Sequence, residues 1–296
     1  MMTNDEADAV CAACGIAEVD EIKLKKCAAC YLVRYCSDEC ERDHRQQHEG
    51  VCEKRAAELR DEILFKQPES CYQGDCPICF LPLPIDRSKF SLMGCCSKII
   101  CVGCGYAHAL RNPLKQTCPF CRHPAPESQA EAELNAMKRV EKNDPVAMRQ
   151  MGAKRYQEGD YSSAFEYYTK AASLSDVRAH CKLGDMYYQG RGVEKDEKKA
   201  LYHWDEAAIG GHPDARHIIA LTEMLNDRYE RAVKHLIIAA NLGSEESMKQ
   251  LWMCFSMGYV SKDELSVTLR AHHAAVNATK SPQRKAAEEA RERGEF

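Results

Sequence analysis

Cysteine carries most of the potential chemistry in this sequence. Of the 296 residues, 18 are cysteines, and sixteen of them lie between Cys11 and Cys121. Thiolate sulfur is a soft ligand suited to Zn²⁺, and dense cysteines in a reducing compartment are more often metal ligands than disulfides. A disulfide-rich secreted domain is the alternative. We disfavour it because the segment 1–9 is acidic and has no apolar stretch, so we expect no secretory signal there.

The first cluster contains eight candidate ligands at regular spacings. They are Cys11 and Cys14, Cys27 and Cys30, Cys36 and Cys40, and His48 and Cys52. Two-residue gaps let both sulfurs reach one tetrahedral zinc, and three-residue gaps place two ligands one helical turn apart. Eight ligands make two closed sites, which are structural because no position stays open for catalysis. His44 also lies one turn from Cys40 and from His48, and we interpret it as a surface histidine.

This pattern resembles a MYND zinc finger over residues 11–52, with Arg34-Tyr35-Cys36-Ser37 similar to its central segment. The resemblance implies interleaved ligation, in which one zinc is held by Cys11, Cys14, Cys36 and Cys40 and the other by Cys27, Cys30, His48 and Cys52. MYND fingers generally bind proteins, and some bind proline-containing peptides. Such fingers often carry a tryptophan just after the position of His44. Arg45 stands there in this chain, so peptide recognition stays open.

A second set of eight cysteines opens with Cys76-Pro77-Ile78-Cys79 and closes with Cys118-Pro119-Phe120-Cys121. This set resembles a RING finger of the all-cysteine type. The resemblance implies one zinc held by Cys76, Cys79, Cys101 and Cys104 and another held by Cys95, Cys96, Cys118 and Cys121. The adjacent pair Cys95 and Cys96 departs from the usual spacing, and His108 is the alternative ligand if either thiol is free. Cys71 fits neither set, and we interpret it as a bystander thiol.

RING fingers mostly act as ubiquitin ligases, which hold a ubiquitin-conjugating enzyme and its thioester-linked ubiquitin in a reactive pose. By this resemblance, Ile78 and Pro119 would contact the conjugating enzyme. Arg122 would bridge that enzyme and ubiquitin through charge-assisted hydrogen bonds. His108 stands where many active RING fingers have a large apolar residue, with Leu110 as a substitute nearby. A RING-shaped structural finger without ligase activity is therefore the alternative.

The elements that position these clusters follow from composition and periodicity. We expect a MYND-like finger at 11–52, a helical linker at 53–70, a RING-like finger at 71–125 and a second helical linker at 126–143. Repeats would occupy 144–258, and a capping helix with a charged tail would occupy 259–296. The pairs Ala171-Ala172, Ala207-Ala208 and Ala239-Ala240 recur 36 and then 32 residues apart. Repeats of this length with helical periodicity indicate an α-solenoid of helix pairs.

Residues 187–200, with Leu183-Gly184 before them and Trp204 after them, resemble a Sel1-like repeat (SLR), which is similar to the tetratricopeptide repeat. Gly190 and Gly192 would permit the tight turn inside the helix pair. The predicted fold class is two small zinc-stabilised cross-brace fingers followed by an all-α solenoid of helix pairs. Such a solenoid presents a concave surface that normally binds a protein or peptide.

The net charge of the chain indicates which classes of partner it can bind. The chain has 45 acidic and 41 basic residues, and zinc-bound thiolates make the balance more negative. Nucleic-acid binding is therefore disfavoured, although residues 70–124 contain six basic and two acidic residues. No apolar run approaches the roughly 20 residues that span a bilayer, so we expect no membrane partner and an intracellular location, cytoplasmic or nuclear.

Together these features predict a zinc-binding protein-interaction protein that carries four Zn²⁺ ions. The first hypothesis is a RING-type ubiquitin ligase whose helical repeats recruit the substrate, with a ubiquitin-conjugating enzyme and ubiquitin as partners. The alternative is a non-enzymatic zinc-finger adaptor. We expect no catalytic nucleophile in the chain, because nearly every cysteine is assigned to a metal. The histidines after residue 200 show no metal-ligand spacing.

Overall fold

The structure, a computed structural model, describes residues 10–19, 21–113 and 116–295. The expectation about a signal at residues 1–9 lies outside this range. The chain divides into two compact units, Met1–Lys66 and Gln67–Phe296. In the described part of the chain, no helix combines the length and the apolar character needed to cross a bilayer.

The first unit holds the first cysteine cluster on a short hairpin and one long helix. Strand β1 (Lys25–Lys26) pairs antiparallel with β2 (Arg34–Tyr35). Helix α1 (Asp38–Leu64) begins where the Ser37 side chain accepts a hydrogen bond from the backbone of Cys40. Three acidic residues in its first turn stabilise the helix, because their negative charges lie at the positive end of the helix dipole. The last segment of the finger and the predicted linker therefore form one continuous helix, because no proline interrupts the chain before Leu64.

The second unit begins with the second finger. A short 3₁₀ turn (Arg87–Lys89) leads into strand β3 (Phe90–Met93), which pairs antiparallel with β4 (Lys98–Cys101). Helix α2 (Val102–Arg111) follows at once, and its first turn is capped by the Cys101 sulfur, which accepts a hydrogen bond from the Cys104 backbone. The finger thus consists of a hairpin and a helix that carry its inner ligands.

The rest of the second unit is helical. Its helices are α3 (Gln129–Val140), α4 (Pro145–Gln157), α5 (Tyr161–Ser173), α6 (Val177–Gln189), α7 (Glu197–Ile209), α8 (Pro213–Leu225), α9 (Tyr229–Asn241), α10 (Glu245–Ser256), α11 (Lys262–Ala278) and α12 (Pro282–Glu292). Consecutive helices from α4 to α9 pack as antiparallel pairs, α4 with α5, α6 with α7 and α8 with α9. Asp144 and Pro145 start the first pair as an N-cap and a first-turn proline. Ser261 and Glu264 form a capping box at the start of α11.

Small residues let these helices approach closely. The alanines of all three recurring pairs are buried. A Cβ atom added at Gly184 on α6 would lie 2.4 Å from the indole ring of Trp204 on α7. Gly192, with a φ of 72°, packs so closely that a Cβ would lie 2.3 Å from the carbonyl oxygen of Tyr161. The third pair has no such glycine turn, and Asp227 adopts the left-handed conformation there with a φ of 58°.

The C-terminal segment forms an ordered helix. The sequence suggests a charged tail after the capping helix, but α12 buries Arg284, Ala287 and Ala290 and packs against α2 of the second finger. A Cβ atom at Gly103 on α2 would lie 2.9 Å from the backbone nitrogen of Arg284, so the two helices are in close contact. The second finger and the helical region therefore form one body.

Candidate zinc centres and protein-binding surfaces

The structure brings sixteen side chains into four groups, and within each group the ligand atoms lie within 4.8 Å of one another. The groups are Cys11, Cys14, Cys36 and Cys40; Cys27, Cys30, His48 and Cys52; Cys76, Cys79, Cys101 and Cys104; and Cys95, Cys96, Cys118 and Cys121. These are the interleaved sets that the two resemblances imply. Three groups offer four thiols and one offers three thiols and an imidazole, which are the donor sets of closed tetrahedral zinc sites.

A recurring turn positions the paired cysteines. In two of the two-residue-gap pairs of each finger, the residue after the second cysteine donates its backbone N–H to the carbonyl of the first. These bonds join Gly15 to Cys11 at 2.9 Å, Tyr31 to Cys27 at 3.0 Å, Phe80 to Cys76 at 2.8 Å and Arg122 to Cys118 at 2.9 Å. All four donor residues have a positive φ. For the three that are not glycine this conformation costs about 1–2 kcal/mol, a cost that zinc ligation would offset.

Helix α1 supplies the imidazole of the first finger. His48 is buried, and its Nε2 lies 3.2 Å from the Cys30 sulfur. Cys52 lies one turn further along the same face of α1, and its sulfur is 3.7 Å from that of Cys27. The His44 ring faces another partner, since its Nδ1 lies 3.1 Å from the Tyr35 hydroxyl. The structure therefore leaves His44 outside both groups.

The adjacent cysteines of the second finger reach the same group. The sulfur of Cys95 lies 3.4 Å from that of Cys121, and the sulfur of Cys96 lies 3.8 Å from that of Cys118. Ser97 donates its backbone N–H to the Met93 carbonyl and has a φ of 54°. This is the turn seen at the other pairs, and it allows two neighbouring sulfurs to point into one site.

His108 and Cys71 lie outside the four groups. The Nε2 atom of His108 is 2.9 Å from the Thr117 hydroxyl. Burial raises the pKa of Cys71 to about 11, so this thiol stays protonated at neutral pH. In contrast, a hydrogen bond from the Cys101 thiol lowers the pKa of Cys76 to about 4. A thiolate is thus favoured at Cys76, whereas the pKa values of its neighbours Cys101 and Cys104 are raised, as is that of Cys71.

The loops of the second finger present apolar side chains to solvent. Ile78 is 38% exposed, Phe80 is 76% exposed and Phe120 is 42% exposed. Pro119, which directly precedes Phe120, is half-buried, and Arg122 is exposed. Large apolar groups on a rigid surface are typical of protein-binding sites. We call Ile78, Phe80, Pro119, Phe120 and Arg122 the knuckle surface.

Arg284 anchors the second finger to the C-terminal helices. Its side chain is buried and donates hydrogen bonds to the carbonyls of Pro82 at 2.6 Å, Leu81 at 3.1 Å and Thr279 at 2.6 Å. Its Nη2 atom also lies 3.5 Å from the Cys79 sulfur. The guanidinium therefore holds the loop that follows the first cysteine pair. Sequence reasoning missed this residue, because Arg284 stands among many charged residues and nothing nearby marks it.

The other side of the finger contacts turns between helix pairs. The Tyr72 ring stacks on His212 with centroids 4.3 Å apart, and its backbone N–H donates to the Gly211 carbonyl. Arg139 on α3 donates to the Ser97 hydroxyl at 2.9 Å and the Cys95 carbonyl at 3.2 Å. These contacts join the finger to the junction of α7 and α8 and to the start of the helical region. The knuckle surface is thereby fixed relative to the repeats.

Two family models match parts of the chain. Residues 11–52 match the MYND finger, and residues 145–176, 177–212 and 226–244 match the Sel1 repeat. The first cluster is a MYND finger and the helical region contains Sel1 repeats. Both are protein-interaction modules, so the matches support a binding role. The first two matches contain the pairs α4–α5 and α6–α7, whereas the third contains only α9 of the third pair.

Individual relatives match only part of the chain. HcpC of Helicobacter pylori (strain J99) is 45% identical over 56 residues, which are 19% of this chain and 19% of that protein. The DAP3-binding cell death enhancer 1 of Mus musculus is 22% identical over 174 residues, covering 45% of this chain and 34% of that protein. The chain thus spans about a fifth to a third of the length of these relatives. A solved Sel1 repeat protein from Oxalobacter formigenes has a TM-score of 0.44 and 25% identity, covering 50% of this chain and 66% of that chain.

Proposed function

We propose that the second finger is a RING-type ubiquitin ligase module and that the Sel1 repeats recruit its substrate. The observation that carries this proposal is the knuckle surface. Two zinc-knuckle loops from opposite ends of the finger sequence both expose large apolar side chains, and Arg122 follows directly after the last ligand. Two such loops and a neighbouring cation are what the RING resemblance requires for binding a conjugating enzyme.

Ile78 and Pro119 would contact the ubiquitin-conjugating enzyme. Ile78 lies inside the first cysteine pair, so its backbone is held by the turn that joins Phe80 to Cys76. A side chain whose backbone is already ordered loses little entropy on binding, which favours its use as an anchor. Loops held in this way can position two proteins for transfer of ubiquitin without a nucleophile of their own.

Arg122 would bridge the conjugating enzyme and ubiquitin. Its backbone has a φ of 61° and donates to the Cys118 carbonyl, which fixes where the side chain leaves the loop. A guanidinium can form several charge-assisted hydrogen bonds at once and would hold the thioester-linked ubiquitin in one pose.

The second candidate function is that of a non-enzymatic adaptor. His108 favours it, because this side chain is engaged with Thr117 and does not add an apolar group to the knuckle surface. Leu110, which is 64% exposed, is the neighbouring apolar residue on α2. In an adaptor the same surface would bind a protein partner without ubiquitin transfer.

Auto-ubiquitination of the purified chain with a panel of conjugating enzymes tests the ligase. We expect activity with at least one enzyme and at least a tenfold loss in Ile78→Ala and in Arg122→Ala. Arg111→Ala, which removes an exposed arginine at the end of α2, is the matched control and should retain activity. Native mass spectrometry should find four zinc ions in every variant. A zinc-loaded protein that is inactive with the whole panel would contradict the ligase and favour the adaptor.

A further inference from the structure

Two histidines of the second Sel1 repeat meet although 23 residues separate them. The Nδ1 atom of His180 on α6 lies 3.1 Å from the Nδ1 atom of His203 on α7, and the ring centroids are 5.2 Å apart. Two nitrogens bound to one tetrahedral zinc, each about 2.0–2.1 Å from the metal, lie about 3.3 Å from each other. We propose that His180 and His203 bind a divalent transition-metal cation, such as Zn²⁺ or Ni²⁺, that links α6 to α7.

The surroundings of the pair favour the neutral imidazoles that a metal requires. Burial lowers the pKa of His180, and it lowers the pKa of His203 to about 4. Both rings are therefore uncharged at neutral pH. A bound metal would replace the hydrogen bond between the two Nδ1 atoms, with the proton of each ring held on Nε2. Each side chain is only partly buried, so a cation can reach the pair from solvent.

Neighbouring groups orient the rings and supply negative charge. Tyr187 stacks on the His203 ring with centroids 5.5 Å apart and planes 11° apart. The Ala172 carbonyl acts on the His180 ring as a hydrogen-bond acceptor, an arrangement common around metal-binding histidines. Glu206 lies one turn after His203 on α7, and its carboxylate acts electrostatically on both rings. That charge would partly offset the charge of a bound cation.

The coordination set distinguishes this site from the four cysteine groups. Two nitrogen ligands leave positions for water, whereas four thiolates close a site completely. Imidazole suits both zinc and nickel, while thiolate-rich sites suit zinc and softer metals. The histidine pair should therefore bind its cation more weakly than the fingers and exchange it while they keep their zinc.

Titration of Ni²⁺ into the zinc-loaded full-length chain tests the site by calorimetry. We expect one Ni²⁺ per chain, with binding at least tenfold weaker in His180→Ala and in His203→Ala. His273→Ala, which removes an exposed histidine of α11, should bind as the wild type does. The proposal would be overturned if the wild type bound no Ni²⁺, or if both histidine variants bound Ni²⁺ with the affinity of the wild type.

Two further measurements show whether nickel displaces zinc from the fingers and whether the substitutions change folding. Native mass spectrometry should find nickel in addition to four zincs. A total that stays at four metals would place nickel in the fingers and contradict the histidine site. His180→Gln and His203→Gln keep side-chain bulk at these half-buried positions. Without nickel, their midpoints of thermal unfolding should match the wild type, and only the wild type and His273→Ala should be stabilised by it.

Discussion

At the scale of single residues, the adjacent cysteines of the second finger are the sharpest test of the zinc assignment. We expect Cys95→Ser and Cys96→Ser each to lower the zinc content from four ions to three, because a hydroxyl is a poor substitute for a thiolate ligand. His108→Ala should keep four ions, since the His108 ring faces Thr117. Native mass spectrometry reads the number directly.

Cys71→Ser is the matched control for these substitutions. Like Cys95 and Cys96, Cys71 is a partly buried cysteine of the second unit, but its sulfur belongs to none of the four groups in the described residues. The variant should therefore keep four zinc ions. Loss of zinc from His108→Ala with full zinc in Cys96→Ser would instead assign His108 as the ligand.

At the scale of elements, close helix packing predicts a strong effect at Gly184. A methyl group there would meet the rigid indole of Trp204 at 2.4 Å, so α6 and α7 would have to move apart. Overpacking of this kind typically costs about 1–3 kcal/mol. We expect Gly184→Ala to lower the free energy of unfolding by that amount, measured by urea denaturation with the fluorescence of Trp204 and Trp252 as the probe.

Gly50→Ala is the contrasting substitution. Gly50 lies inside α1, and a Cβ there would have no neighbour within 4 Å. Alanine is the better helix former by about 1 kcal/mol, so the first unit should become more resistant to thermal unfolding. Destabilisation by Gly50→Ala, or no effect of Gly184→Ala, would contradict the packing described for these helices.

The anchor between α12 and the second finger predicts a local effect of Arg284. Arg284→Ala would remove the side-chain donor to the carbonyls of Pro82 and Thr279 and would leave the Leu81 carbonyl with only the Cys76 N–H. A hydrogen bond from a charged group contributes about 1.5–3 kcal/mol. We expect faster hydrogen exchange in α12 and in the loop at 79–82, with the zinc content unchanged. Lys285→Ala is the control, because Lys285 is exposed and its ion pair lies on the surface of α12.

These elements differ in how far the sequence predicts them. Zinc-ligand spacing and the alanine repeats are local patterns, so the MYND finger, the donor sets and the solenoid could be predicted directly. The role of Arg284 depends on carbonyl groups about 200 residues away, and that of His180 on a partner in another helix. Neither contact leaves a periodic signal. Likewise, α12 has the composition of a charged tail, and its order comes from the finger that it covers.

At the scale of the whole molecule, the second unit combines a finger and a solenoid in one body. Contacts at Arg284, Tyr72 and Arg139 join the finger to the helical region at three separate places. A partner held by the repeats would therefore lie at a fixed position relative to the knuckle surface. For the proposed ligase, this geometry would restrict which part of a substrate can receive ubiquitin. For an adaptor, it would fix the relative placement of two bound proteins.

Removal of zinc should unfold the two fingers and leave the helical repeats folded, because the cores of these parts differ in composition. The buried cores of both fingers consist largely of their own cysteines, whereas the helical cores consist mainly of aliphatic side chains, methionine and tyrosine. A structural zinc site contributes roughly 10–16 kcal/mol, which is comparable to the whole stability of a domain, about 5–15 kcal/mol.

We therefore expect a strong zinc chelator to abolish hydrogen-exchange protection at 10–37 and 76–121 and to loosen α12, whose partner surface is part of the second finger. Helices α4 to α9 should stay protected, because their packing requires no metal of the fingers. Re-addition of zinc should restore protection, which separates metal loss from irreversible oxidation of the thiols. Unchanged protection in the fingers under chelation would contradict the zinc assignment. Simultaneous loss throughout the second unit would show that the solenoid depends on the finger for its own stability.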